Sequence, residues 1–313
     1  WTYSAGSSWS GDGTVTVTVG TATDSVGNTV NSTPSSNTFA VDNTSPTAAI
    51  TYSEAGPYKS GDSITITATF NEAVKDSPVP QISISGPYSV SATNMAKTST
   101  TEYTYVHTVG SGDGTATVSL ATAQDVDTNV VNSAPSSGAT FTVDNTAPTF
   151  TADRTALNTI VLTFNEVVTG SAISGSFTVV GSGAVTNTAP SSSTTVTLTT
   201  SGLTSTSSTP AVNYVAATGD IVDAGTNEVA NGGAVSATDS VPPTFTAERT
   251  AVDTITLTFS ENVDADSANE NLAWTVSGGT VTATSDPADS DSMTITFSGI
   301  TDTSVTPTVT YVA

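Results

Sequence analysis

The side chains in this chain with chemistry to offer are its acids. Three glutamates recur in one local frame, Phe70-Asn71-Glu72, Phe164-Asn165-Glu166 and Phe259-Ser260-Glu261. Each shares the parity of the apolar residues before it, which for Glu72 are Ile64, Ile66, Ala68 and Phe70. In a strand that continues regularly, each Glu therefore points inward at the end of a sandwich. A carboxylate buried there without a partner costs on the order of several kcal/mol. Three kinds of partner are open to it: backbone N–H groups, Arg154 or Arg249, and a cation shared with Asp42, Asp144 and Asp239. The chain has only 5 Lys and Arg against 28 Asp and Glu, so the cation is a serious candidate.

Calcium is the cation that fits, because it takes six to eight hard oxygens from Asp, Glu, Asn and carbonyls in flexible geometry. The densest local cluster is Asp125-Val126-Asp127-Thr128-Asn129, where every second residue carries an oxygen. It begins like an EF-hand loop, but Val130 stands at the glycine position and Ser136 at the terminal Glu position, so it is not one. Asp264, Asp266, Asn269 and Glu270 form a second cluster, and Asp220 with Asp223 a third. The competing reading is that these are Asx-rich turns on a solvated acidic surface. Asn31-Ser32-Thr33 and Asn43-Thr44-Ser45 match the N-glycosylation sequon, which makes glycans possible partners at Asn31 and Asn43.

Other chemistry finds little support. His107 is the only histidine and there is no cysteine, so neither a catalytic triad nor a zinc site can be assembled, and His107 reads as structural. Neither a nucleophile elbow nor a phosphate loop is present. Carboxylate pairs of the glycosidase kind carry no specificity among so many acids. No enzymatic activity is expected. The formal net charge of -23 argues against nucleic acid, whose binding needs clustered Lys and Arg, and against an anionic membrane surface. Apolar runs fall far short of the roughly 18 residues a membrane helix needs, so this segment should not insert into a membrane.

The elements that position the acids come in repeats. Gly11-Asp12-Gly13-Thr14 returns as Gly112-Asp113-Gly114-Thr115, 101 residues on, and Val41-Asp42-Asn43-Thr44-Ser45-Pro46 returns as Val143-Asp144-Asn145-Thr146-Ala147-Pro148, 102 on. Pro148-Thr149-Phe150-Thr151-Ala152-Asp153-Arg154-Thr155-Ala156 returns from Pro243 to Ala251, 95 on. A period near 100 residues is one small domain and too long for a solenoid repeat. It predicts a partial domain at 1–43, domains at 44–145 and 146–240, and a second partial domain at 241–313. Within each, apolar residues alternate with Thr or Ser, as in Ile64-Thr65-Ile66-Thr67 and Met293-Thr294-Ile295-Thr296, with no stretch of helical period. Turn residues punctuate these runs. The expected fold is therefore all-β, a series of tandem immunoglobulin-like β-sandwich domains in an elongated array. The linkers are short and carry proline, which limits the angles between neighbours. Both ends cut through a repeat, so the chain reads as part of a longer repeat protein. Donor-strand completion between copies is the alternative.

The linker Val-Asp-Asn-Thr-Ala-Pro-Thr, followed by a unit of this size with Thr-Ile-x-Leu-Thr-Phe-x-Glu, resembles the Ig-like repeats of large prokaryotic surface proteins, meaning surface-layer (S-layer) proteins and giant adhesins. The acidity with few Lys is similar to S-layer proteins of marine ammonia-oxidising archaea. The resemblance covers essentially the whole chain. It implies a secreted, calcium-stabilised structural protein at the cell surface whose partners are copies of itself in a lattice or filament, with the stalk of a large calcium-dependent adhesin as the alternative. Electrostatics adds that a dense acidic coat attracts cations within a Debye length of about 8 Å.

Overall fold

The structure is a computed structural model that describes residues 10–30, 35–171, 175–263, 273–285 and 290–312. It divides into two compact units, Trp1–Thr146 and Ala147–Ala313. The chain is all-β: every named element among the described residues is a strand. Three apolar cores form, drawn from Ala48 to Val143, Ala152 to Ala237 and Ile255 to Phe297.

The first unit opens with an antiparallel pair, β1 (Gly13–Thr16) against β2 (Thr38–Val41), largely exposed. Then follow β3 (Ala48–Tyr52), β4 (Ser63–Phe70), β5 (Gln81–Ser85), β6 (Val90–Asn94), β7 (Ala96–Lys97), β8 (Glu102–Thr108), β9 (Gly114–Ala121) and β10 (Thr140–Val143). They make two antiparallel sheets in the orders β3-β4-β8-β7 and β10-β9-β5-β6. Alternation decides which face is covered. In β4 the side chains of Ile64, Ile66, Ala68 and Phe70 are buried while the threonines between them are not. They meet Ile82, Val118 and Leu120 from the other sheet in one shared core, where burying each large aliphatic side chain contributes roughly 1.5–3 kcal/mol. His107 lies inside this core at 4% exposure, stacked between the rings of Tyr88 and Tyr105, with its Nε2 hydrogen-bonded to the Tyr88 hydroxyl at 2.8 Å.

The second unit runs through β11 (Phe150–Ala156), β12 (Thr159–Val168), β13 (Phe177–Val179), β14 (Thr186–Asn187), β15 (Ser193–Thr199), β16 (Ala211–Tyr214), β17 (Val235–Ser236) and β18 (Thr238–Asp239). It continues with β19 (Phe245–Ala251), β20 (Thr254–Val263), β21 (Trp274–Val276), β22 (Thr280–Thr284), β23 (Ser290–Ser298) and β24 (Val309–Tyr311). Sheets β14-β15-β12-β11-β18 and β13-β16-β17 share one core, and sheets β19-β20-β23-β22 and β21-β24 share the next. The repeated Phe-Thr-Ala-x-Arg-Thr-Ala sequence makes the same hairpin twice. Phe150 pairs with Phe164 and Phe245 with Phe259, and each first strand bulges just after its arginine, Arg154 or Arg249. A bulge inserts an extra residue and re-aims the neighbouring side chains. Both arginines reach the loop that follows the next strand beyond the hairpin in their sheet, β15 for Arg154 and β23 for Arg249.

Candidate metal centre

Glu72 is placed by the end of β4. Asn71 fixes the exit of the strand: its N–H donates to the Thr47 carbonyl at 3.0 Å and its Oδ1 accepts the Thr47 N–H at 2.7 Å. Glu72 then falls on the same face as the buried Phe70 and Val74 and is itself half-buried. Asn165 makes the same contact with Thr149 at 2.8 Å, ahead of the half-buried Glu166.

Asp125 comes from a turn that closes on itself. The Asn129 N–H donates to Asp125 Oδ1 at 2.8 Å, and the Asn129 side-chain amide donates to Asp125 Oδ2 at 2.7 Å. Thr128 adopts the left-handed conformation the turn requires, with φ of 78°. The same amide nitrogen donates to the Asp42 carbonyl at 3.0 Å, tying the turn to the linker after β2. Asp42 Oδ1 accepts the Thr44 N–H at 2.9 Å, a short Asx turn that orients the carboxylate.

These elements bring Asp42, Glu72 and Asp125 together. Each offers a carboxylate oxygen within 4.8 Å of the others, with Asp125 at 1% exposure. Burial pushes the Glu72 carboxyl above its ordinary range, the charges of Asp42 and Asp125 push it further, and the hydrogen bond with Asn71 works against them. Two oxygens bound to one calcium ion at about 2.3–2.6 Å lie no more than roughly 5 Å apart, so three oxygens at this spacing match the span of a single hard cation.

The basic partners open to the glutamates in the sequence are committed elsewhere. Arg154 donates to the carbonyls of Thr206, Ser208 and Leu157, and Arg249 to those of Ala251, Val252, Ile300, Asp302 and Val305. The structure places Asp125, Asp127 and Asn129 differently from one another. The turn folds Asn129 back onto Asp125, which leaves Asp127 exposed at the tip and turns the Asn129 side-chain nitrogen toward Asp125 and the Asp42 carbonyl. Of the two acids, Asp125 joins the group with Asp42 and Glu72 and Asp127 does not.

In the second unit Glu166 and Asp223 place carboxylate oxygens within 4.8 Å of each other. Asp223, at 3% exposure, sits in a turn built like that of Asp125, accepting the Asn227 N–H at 2.9 Å and its side-chain amide at 3.0 Å. Asp220 does not share that turn. It accepts the Ser171 N–H at 2.8 Å, and its hydrogen bonds to Ser171 hold its carboxyl below the usual range. Asp144 in the first unit accepts the Thr146 N–H at 3.1 Å, and the exposed Asp239 accepts that of Val241 at 3.0 Å, the Asx turn of Asp42 in both cases. Glu261 has a buried Oε1 with no hydrogen-bond partner. Asp264, Asp266, Asn269, Glu270 and the sequon residue Asn31 lie outside the described residues. Asn43 is exposed, and the side-chain nitrogen a glycan would take donates to the Gly11 carbonyl at 3.2 Å.

Two functional arrangements escaped the sequence reading. One is the role of Gly-Asp-Gly. Asp12 Oδ1 accepts the Asn43 N–H at 2.6 Å and Asp113 Oδ1 accepts that of Asn145 at 2.5 Å, so each acid holds the linker that follows its own sheet. Its signal was the equal spacing of motif and linker in both copies. The other is the Asp-x-x-x-Asn turn, present three times, at Asp24–Asn28, Asp125–Asn129 and Asp223–Asn227. No family model matches the chain, and no curated protein matches it.

Proposed function

We propose that this chain is part of a structural cell-surface protein, a self-assembling segment of an S-layer or extracellular filament built from tandem acidic Ig-like β-sandwich domains and stabilised by calcium. The observation that carries the reading is the convergence of Asp42, Glu72 and Asp125 where the linker from one repeat enters the next. A linker acid, a strand-end acid and a turn acid come from three separated segments, so a cation bound by all three would fasten the linker to the domain it enters. The shared cores between paired sheets support the sandwich. The net charge of -23 supports a coat that attracts cations and keeps copies soluble until they are bridged. Its partners are other copies of itself, its place is the cell envelope, and it has no turnover of its own.

Two measurements test this. Calcium titration of the chelator-stripped chain should raise its melting temperature in a saturable way, and the absence of any rise would sink the metal reading. Negative staining of the full-length protein with calcium should show a regular array or filament. Monomeric rods that lengthen with repeat number and never associate would favour an adhesin stalk instead.

A further inference from the structure

The passage from segment 146–240 into segment 241–313, both within the second unit, is made differently from the acid-lined passage after β2. The contacts that join the two segments there are made by hydroxyls, carbonyls, the Arg154 guanidinium and the Asp153 carboxylate. Arg154 is fully buried, and its hydrogen bonds go to carbonyls and a hydroxyl: its Nη1 donates to the carbonyls of Thr206 and Ser208, each at 3.0 Å, and to the Ser208 hydroxyl at 2.8 Å, and its Nη2 donates to Leu157 O at 2.9 Å. A buried charge is tolerated where oriented dipoles replace water, and here the carbonyls of the loop and of Leu157 do so for both Nη atoms, while Nε has no hydrogen-bond partner. The loop is thereby held with Thr206 presented outward.

Thr206 meets the next segment. Its hydroxyl lies 2.9 Å from Ser260 Oγ and 3.2 Å from Ser260 O, and Ser260 Oγ in turn accepts the Thr244 N–H at 2.9 Å. Ser260 occupies the place that Asn71 and Asn165 hold in the other copies, where the asparagine oxygen accepts from Thr47 or Thr149. The serine keeps that contact and leaves room for a second one. The linker itself is tied down behind this contact. The Ser240 N–H donates to Arg154 O at 3.0 Å, and the hydroxyls of Ser240 and Thr238 donate to Asp153 Oδ1 at 2.7 and 2.8 Å.

We propose that this junction is a hydrogen-bonded lock that needs no metal ion, with Arg154 as the positioning residue that presents Thr206 to Ser260. The chain then carries two kinds of joint: one fastened by a cation after β2, which rests on the metal reading above, and one fastened by its own hydroxyls. Rigidity at the second is set by sequence and stays independent of the surrounding ion concentration.

The chain has no cysteine, so spin labels can be placed by substitution alone. One pair, Thr194→Cys with Ser292→Cys, spans the lock; another, Thr14→Cys with Ser91→Cys, spans the joint after β2. Pulsed dipolar spectroscopy should give a narrow distance distribution across the lock that chelator leaves unchanged. Thr206→Val and Ser260→Ala should each abolish the narrow distribution while the unfolding of both segments is preserved. Arg154→Met should do the same at a cost in stability, and if it fails to fold, the two conservative variants decide. A distribution unchanged in both Thr206→Val and Ser260→Ala overturns the proposal, as does a wild-type distribution that broadens in chelator. The second label pair separates the two readings: if chelator leaves it unchanged, the metal reading fails while the lock stands.

Discussion

Replacing Glu72 by Gln should change the stability of the first unit in opposite directions with and without calcium. Two unit charges 4.8 Å apart repel by about 0.9 kcal/mol in water and about 3.5 kcal/mol at an effective dielectric of 20. Glu72 is half-exposed, so solvent screening favours the lower end, about 1 kcal/mol per pair. Glu72 takes part in two of the three carboxylate pairs, with Asp42 and with Asp125. In chelator, Glu72→Gln therefore relieves about 2 kcal/mol and should raise the melting temperature by roughly 10 °C for a domain of this size. With calcium at a hundred times its dissociation constant the wild type gains about 2.7 kcal/mol, whereas the variant has lost a charged ligand and gains little. The order of stability should reverse. Calorimetry in low salt, once with chelator and once with excess calcium, reads both conditions, and added salt should shrink the chelator effect. A variant less stable than wild type in chelator would refute the like-charge argument. A wild type with the same melting temperature in both conditions would refute the cation.

Further outcomes follow from other sites. Burial holds the His107 imidazole below its ordinary 6.5, and the groups stacked on it are the rings of Tyr88 and Tyr105. The unfolded chain takes up this proton first, so the stability His107 supports is full above pH 7 and lost as pH falls through about 6.5 and below; His107→Phe should flatten the melting temperature between pH 7 and 5. The carboxylates held low by hydrogen bonds, Asp153 and Asp220 among them, act in a lower window, losing their contribution as pH falls below the ordinary 3.8. Leu162→Ala, at a fully buried position in β12, should cost about 2–5 kcal/mol in denaturant unfolding, and a loss below 1 kcal/mol would mean the core collapses onto the gap. Asp113→Ala removes the acceptor of the Asn145 N–H and should speed hydrogen exchange at that amide while the melting temperature moves little.

Local pattern carried the strands, because one face of each sheet is covered and alternation records it. Ile64 to Phe70 and Ile160 to Phe164 are buried at every second position as the period-two reading expects. The inward parity of Glu72 is an extension of the same rule. The remainder of the site was hidden because its contacts join segments far apart in sequence. Asp125 is brought to Glu72 by the stacking of two sheets and Asp42 by the hydrogen bond from Asn129 to its carbonyl, neither of which alternation can report. The shape of the Asp125 turn was hidden for a different reason. Oxygens on every second residue suggest convergence on an ion, but a five-residue turn closed by Asn129 sends its middle to solvent. Arg154 looked like a partner for an acid and instead serves carbonyls, since the bulge after it turns the side chain toward the loop.

The pairing of β18 with β11 has a mechanical consequence. The first and last strands of segment 146–240 lie side by side and parallel, with Asp153 opposite Thr238 and Arg154 opposite Asp239. Tension entering at the start of β11 and leaving at the end of β18 drags the two strands past each other along their length. Their hydrogen bonds are then loaded together in shear and cannot be peeled open one at a time. In segment 44–145 β3 and β10 lie in different sheets, and two isolated parallel bridges, Ala49 to Ser137 and Tyr58 to Val143, tie its beginning to its end. Segment 146–240 thus meets a stretching force along the direction in which these bonds resist together.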